Sequence, residues 1–177
     1  MRSEATKAKV ELWMRTLGAK LRFPLKIYLV GGATAVLEGW RDTTIDIDLK
    51  AEPEVLGFFE AIAELKESLD VNIELASPEQ FIPELPGWRE RSPFLARFGV
   101  TDFYTYDFYS QALAKLERGH PRDLGDVRAM RKAGKIELTQ LRGLFQQIEP
   151  FLLRFPAIEP STFGASVDAF CAEKGKS

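Results

Sequence analysis

Two aspartates, Asp46 and Asp48, stand two residues apart in the segment TIDIDLK. In a strand this spacing puts both carboxylates on one face, roughly 6 to 7 Å apart. Like charges that close repel unless a cation lies between them. A third acid, Glu74, falls on the polar face of a later alternating segment, LDVNIELA. If the two strands are neighbours, three carboxylates converge. An all-oxygen set of this kind suits a hard divalent ion, Mg2+ in the first place and Mn2+ as the alternative. Two such ions together can activate an attacking oxygen and stabilise a leaving pyrophosphate. Asn72 shares the face with Glu74, so a different alignment puts an amide at the third corner, which implies weakened or lost activity.

A phosphate site is encoded just upstream. The apolar run KIYLV stops at Gly31-Gly32, and TAVLEG follows as a short helix. A helix that begins after a glycine turn offers backbone N–H groups and the positive end of its dipole. Glycine lets a phosphate approach without a Cβ in the way. Thr34 adds a hydroxyl donor, and Arg41 can pair with a triphosphate or clamp the acids. The glycines do not fit Gly-x-Gly-x-x-Gly, and no Gly-Lys-Ser/Thr follows, so dinucleotide and P-loop readings are weak.

The elements that must hold these residues follow from periodicity. Val10, Trp13, Met14, Leu17 and Leu21 predict an amphipathic helix over residues 4–21. TIDIDLK alternates, with Ile45, Ile47 and Leu49 inward. Pro53 opens a helix carrying Val55, Phe58, Phe59, Ile62 and Leu65, and Val71, Ile73 and Leu75 point inward from the next strand. Residues 77–93 hold four prolines and read as an irregular crossing, followed by a hairpin turning at Gly99. From Asp107 the signal is helical: FYSQALAKLERG, then 121–133, 137–148 and a last stretch over 166–174, with AEKGKS frayed. The fold class expected is α+β. Residues 1–106 form the α/β core with its N-terminal helix, and residues 107–177 a helical region packed on that core.

Bulk composition narrows the field. The chain has 177 residues, 45% hydrophobic and 28% charged, enough for a proper core in an ordinary soluble domain. A net charge of −2 announces no global basic field for nucleic acid. One cysteine, Cys171, excludes an internal disulfide and a cysteine-based zinc site. No apolar run reaches membrane-spanning length and the start carries no cleavage signature, so the expected location is cytoplasmic, with no membrane partner. Eight basic residues between 115 and 142 against four acids mark the best candidate surface for the RNA backbone or for protein phosphate groups. Trp88 and the run Phe103, Tyr104, Tyr106, Phe108 and Tyr109 read as core, with one or two of them as the alternative flank of a nucleotide pocket. His120, at a helix junction, reads as structural.

The order GGATAVLEGWRDTTIDIDL, with Glu74 on a following strand, resembles the nucleotidyltransferases of the DNA polymerase β superfamily. The match is best to bacterial stand-alone members, including nucleotidyltransferase toxins of abortive-infection and toxin–antitoxin systems. ALAKLERGHPRDLGDV resembles their later helical motif through Lys115, Arg122, Asp123 and Asp126. The resemblance covers roughly residues 26–133. It implies a mixed sheet flanked by helices and transfer of a nucleoside monophosphate from an NTP. The acceptor would be a hydroxyl on tRNA, another RNA or a protein, and a cognate antitoxin is implied as a partner. Asp46, Asp48 and Glu74 would hold the ions, Gly31, Gly32 and Thr34 the triphosphate, and Lys115 with Arg41 would offset charge on pyrophosphate. Many members carry Ser where this chain has Ala33, which removes one phosphate contact. A binding module of the same fold without chemistry is the second reading. A metal-dependent glycosyltransferase, which also uses Asp-x-Asp, is the third.

Overall fold

The computed structural model describes residues 2–175, which fall into two compact units. The first takes in the chain up to Ser77 together with Ser92–Tyr106. In chain order it contains β1 (Ala5–Thr6), α1 (Lys7–Lys20), β2 (Leu25–Val30), α2 (Gly31–Leu37), β3 (Thr43–Thr44), β4 (Asp46–Glu52), α3 (Leu56–Ser68) and β5 (Asn72–Leu75). Together, β1 and β3 form a two-stranded antiparallel ladder. A hairpin, β6 (Phe94–Phe98) and β7 (Thr101–Thr105), completes the unit. The second unit, Pro78–Arg91 with the chain from Asp107 onward, is helical among its described residues. The α+β class is therefore present as expected, with a mixed five-stranded sheet in order β5-β4-β2-β7-β6.

Two strand pairs of the sheet are antiparallel, β2 with β4 and β6 with β7. The other two, β2 with β7 and β4 with β5, are parallel. One face buries Ile27, Leu29, Ile47, Leu49, Ile73 and Phe103. These join Val10, Trp13 and Leu17 of α1 and Phe58 and Leu65 of α3 in a single core. Each such side chain contributes about 1.5–3 kcal/mol when fully buried. Helix α1 lies close on the hairpin because Gly18 has no Cβ. An added one would stand 2.4 Å from Phe98 Cβ. The other face carries Tyr28 opposite Lys50 and Val30 opposite Asp48.

Several expected boundaries differ. The helix predicted from residue 4 starts at Lys7, because Thr6 caps it, accepting from the Lys9 N–H at 3.3 Å. Ile45 is 58% exposed rather than inward: it lies in the break between β3 and β4, so the alternation starts at Asp46. The burial phase then runs through Ile47, Leu49 and Ala51. Pro53 follows a cis peptide bond and does not open the helix, which begins at Leu56. Leu75 is partly exposed, at the end of an edge strand. The short helix takes in both glycines instead of following them, and stops where Gly39 adopts φ +79°.

In the second unit, the expected irregular crossing contains a 3-10 turn at Pro78–Gln80 and one turn of helix, α4 (Trp88–Arg91). Four longer helices follow: α5 (Phe108–Arg118), α6 (Pro121–Lys132), α7 (Leu138–Ile148) and α8 (Pro160–Ala172). A 3-10 segment, Glu149–Arg154, precedes the last of these. Helix α8 begins six residues before the stretch expected from 166. The Glu159 carboxylate caps it and Pro160 occupies its first turn. Its Phe163 meets Phe145 edge to face at 4.9 Å. Glu173, expected to be frayed, accepts from Arg128 at 2.6 Å. The last two residues of AEKGKS lie outside the described residues. Trp88 is buried, as are Phe103, Tyr106, Phe108 and Tyr109, in keeping with their reading as core, whereas Tyr104 is only half-buried. No helix among the described residues is long and apolar enough to cross a membrane.

Candidate functional site

The site is built where β2 ends. Strand β4 lies between β2 and β5, so its polar face meets both neighbours. Asp46 stands opposite Asn72, and Asp48 opposite Glu74, in a parallel pairing. Opposed residues share a face, so three carboxylates and one amide form a two-by-two array on adjacent strands. Asp46 and Asp48 are half-buried and Glu74 is exposed. The Asn72 amide donates to Asp46 Oδ1 and, at 3.3 Å, to Glu74 Oε1. A neutral donor between two carboxylates relieves their repulsion. As the side chains stand, no three His, Cys, Asp or Glu residues among the described ones form a metal-holding group. The sequence left Asn72 and Glu74 as alternatives. The register places both beside the aspartates, each in a different row.

Both glycines are required by close approach. Gly31 adopts φ +59°, and a Cβ there would come within 2.9 Å of Asp48 Oδ2. The Asp48 carboxylate thus lies against the glycine turn. A Cβ on Gly32 would stand 2.0 Å from Thr44 Oγ1, whose hydroxyl donates to the Asp46 carbonyl at 2.9 Å. That bond is local to the β3–β4 segment, and the same hydroxyl lies against Gly32 of the helix. Val30 precedes α2 as its cap residue, and no side chain caps the helix. Thr34 was expected to face a phosphate. It is 1% exposed, and its hydroxyl donates to the Leu29 carbonyl at 3.2 Å, which holds strand to helix. Ala33 is wholly buried in the apolar core, so the missing serine hydroxyl is a buried position here. Arg41 is half-buried and follows α2, its backbone N–H donating to Ala35 O at 3.3 Å.

The donor set of this corner is of the all-oxygen kind that Mg2+ takes. Its charged groups are carboxylates, hard oxygen donors on adjacent strands, and the glycine at 31 leaves the Asp48 carboxylate space that a Cβ would take. Asp46, Asp48 and Glu74 are the residues that would hold the ion.

Lys115 belongs to the second unit, where it is 7% exposed. Its ammonium donates to Asp126 at 2.7 Å and lies 3.4 Å from Asp123. Arg118 grips Asp123 with two bonds, at 2.7 and 2.6 Å. Burial pushes the Asp123 carboxyl up, but the Arg118 hydrogen bonds and the charges of Lys115 and Arg118 outweigh it, and the net shift is downward. Lys115, Arg118, Asp123 and Asp126 thus form an ion network joining α5 to α6, while Arg122 of the motif is exposed. Other basic residues of the 115–142 stretch are also paired: Arg128 and Arg131 with Glu173, and Arg142 with Asp168. His120 precedes α6 without capping it by its side chain. Burial pushes the Cys171 thiol up, as for an inert cysteine.

Two contributors escaped sequence reasoning, Asn72 as a bridging amide and Thr44 as the contact that requires Gly32. Asn72 carried a signal, its two-residue spacing from Glu74. Thr44 carried none, because its partner is set by helix packing.

A mixed sheet with paired aspartates beside a strand–glycine–helix turn defines a nucleotidyltransferase domain, and the family comparison agrees. The chain belongs to the family described as "Nucleotidyltransferase of unknown function (DUF6036)", whose model matches residues 14–156. Comparisons with curated proteins and with solved structures give no match.

Proposed function

We propose that this protein is a Mg2+-dependent nucleotidyltransferase that moves a nucleoside monophosphate from an NTP to a hydroxyl of RNA or protein. The observation that carries this reading is the register that sets Asp46 and Asp48 beside Glu74, with the Asp48 carboxylate against Gly31. Mg2+ held by Asp46, Asp48 and Glu74 would supply positive charge to the triphosphate and its leaving pyrophosphate. The chain's own residues do the rest. The backbone at Gly31 admits the phosphates, while Gly32, expected beside them, is buried against Thr44; the first turn of α2 turns its dipole toward them. Asp48, pinned between β2 and β5, fixes where the charge accumulates. Arg41, which follows the C-terminal end of α2, would add a cation for the leaving group. Catalysis of this type rests on positioning and electrostatics, with no covalent work for the protein. A role as the toxin of a toxin–antitoxin pair, with a cognate antitoxin as partner, is part of the proposal.

The test incubates the protein with each labelled NTP, Mg2+ and total bacterial RNA or lysate, and asks which molecules gain label. Asp46→Asn should abolish transfer. Equal labelling by Asp46→Asn and wild type would remove the assignment. One observation favours a second reading, a nucleotide-binding module without turnover: the Asn72 amide already satisfies Asp46 and Glu74. Calorimetry that finds NTP binding, with no transfer to any acceptor, selects that reading.

A further inference from the structure

The sheet face that carries the two aspartates continues beyond β2 into a row of aromatic rings with no part in the chemistry above. Tyr28 is opposite Lys50 across β4 and β2, one row from Asp48. Tyr28 is opposite Tyr104 across β2 and β7, and Tyr104 opposite Phe94 across β7 and β6. All of these residues therefore share the face of Asp48. The Tyr28 and Tyr104 rings stack at 5.1 Å and 23°. Phe94 meets Tyr104 edge-on at 5.6 Å.

Burial falls along the row. Tyr28 is 2% exposed, Tyr104 half-buried and Phe94 57% exposed. A lone exposed phenylalanine needs no explanation. This one ends an ordered row that begins beside the carboxylates. Gly31 and Phe94 are separated by three residues along β2 and two strands across. At ~3.3 Å per residue and ~4.8 Å between strands, that is about 14 Å. The span matches the reach of a nucleotide from its phosphates to its base.

We infer that Phe94, its ring set edge-on against Tyr104, stacks on the base of the nucleotide whose phosphates lie at Gly31. The inference rests on the nucleotidyltransferase reading. Every base has a π-face, so a platform of this kind gives affinity with weak base preference. Buried Tyr28 backs the Tyr104 ring and fixes its plane, which lowers the ordering cost of stacking.

The test uses calorimetry on the full chain in MgCl2 buffer, with ATP, GTP, CTP, UTP and inorganic tripolyphosphate as probes. Phe94→Ala removes an exposed ring and leaves the core intact. It should weaken the tightest NTP about tenfold, the scale of one lost stacking partner, and leave tripolyphosphate unchanged. Phe94→Trp should restore NTP affinity, and its added indole fluorescence should be quenched by the NTP and not by tripolyphosphate. Equal NTP affinity in wild type and Phe94→Ala overturns the platform and leaves the nucleotidyltransferase reading intact. A wild type that binds neither NTP nor tripolyphosphate overturns both.

Discussion

Replacing Gly31 by alanine separates two costs that the glycine turn avoids. Gly31 sits at φ +59°, where an L-residue is disfavoured by roughly 1–2 kcal/mol. Its new Cβ would also lie 2.9 Å from Asp48 Oδ2, too close for the carboxylate to stay. Gly39 provides the control, with φ +79° and nothing within 4 Å of an added Cβ. Both variants should therefore lose about 1–2 kcal/mol in urea unfolding, from the backbone alone. Only Gly31→Ala moves Asp48. Disturbing a ligand's placement typically costs 10–100-fold in metal affinity, so Mn2+ binding by Gly31→Ala should weaken at least about tenfold. Gly39→Ala should bind Mn2+ as wild type does. The measurements are urea melts and Mn2+ titrations followed by electron paramagnetic resonance. Equal Mn2+ affinity in the two variants refutes the link between the turn and Asp48. Unchanged stability in Gly31→Ala refutes the strain.

Three further outcomes are expected. Asn72→Asp replaces the bridging amide by a fourth carboxylate, so the metal-free protein should lose about 1 kcal/mol while Mn2+ affinity rises; the same melts and titrations check both. Lys115→Ala takes away the ammonium facing buried Asp126 at 2.7 Å and should cost about 3 kcal/mol in urea unfolding. A loss under 1 kcal/mol would show that the network does not hold α5 to α6. The Glu159 carboxyl accepts from the Ser161 hydroxyl and the Thr162 N–H, which pull it down from 4.5 to about 2. The folded state then binds fewer protons than the unfolded one between these values. The cap's contribution is present above pH 4.5 and is lost as pH falls through about 2. A carboxyl resonance of Glu159 that titrates near its ordinary value would contradict the cap.

What the sequence alone determined is local. Asp46 and Asp48 share a face because strand geometry repeats every two residues, whatever surrounds it. Gly39, Gly99 and Gly119 mark turns because their positive φ is open to glycine and costly to others. The strand–glycine–helix–strand order was legible for the same reason. Local pattern failed where a distant partner intervened. Ile45 continues the alternation on paper, but the pairing of Thr43 and Thr44 with β1 breaks the strand before Asp46. Thr34 looked like a donor to a ligand until the Leu29 carbonyl claimed its hydroxyl. Only the tertiary structure decided that β4 lies between β2 and β5, and hence that Asn72 faces Asp46 while Glu74 faces Asp48. It alone carried the face on to Tyr104 and Phe94. The physical reason is that strand pairing joins residues far apart in the chain, through backbone bonds that carry no mark of side-chain identity, so register follows from how the whole core packs.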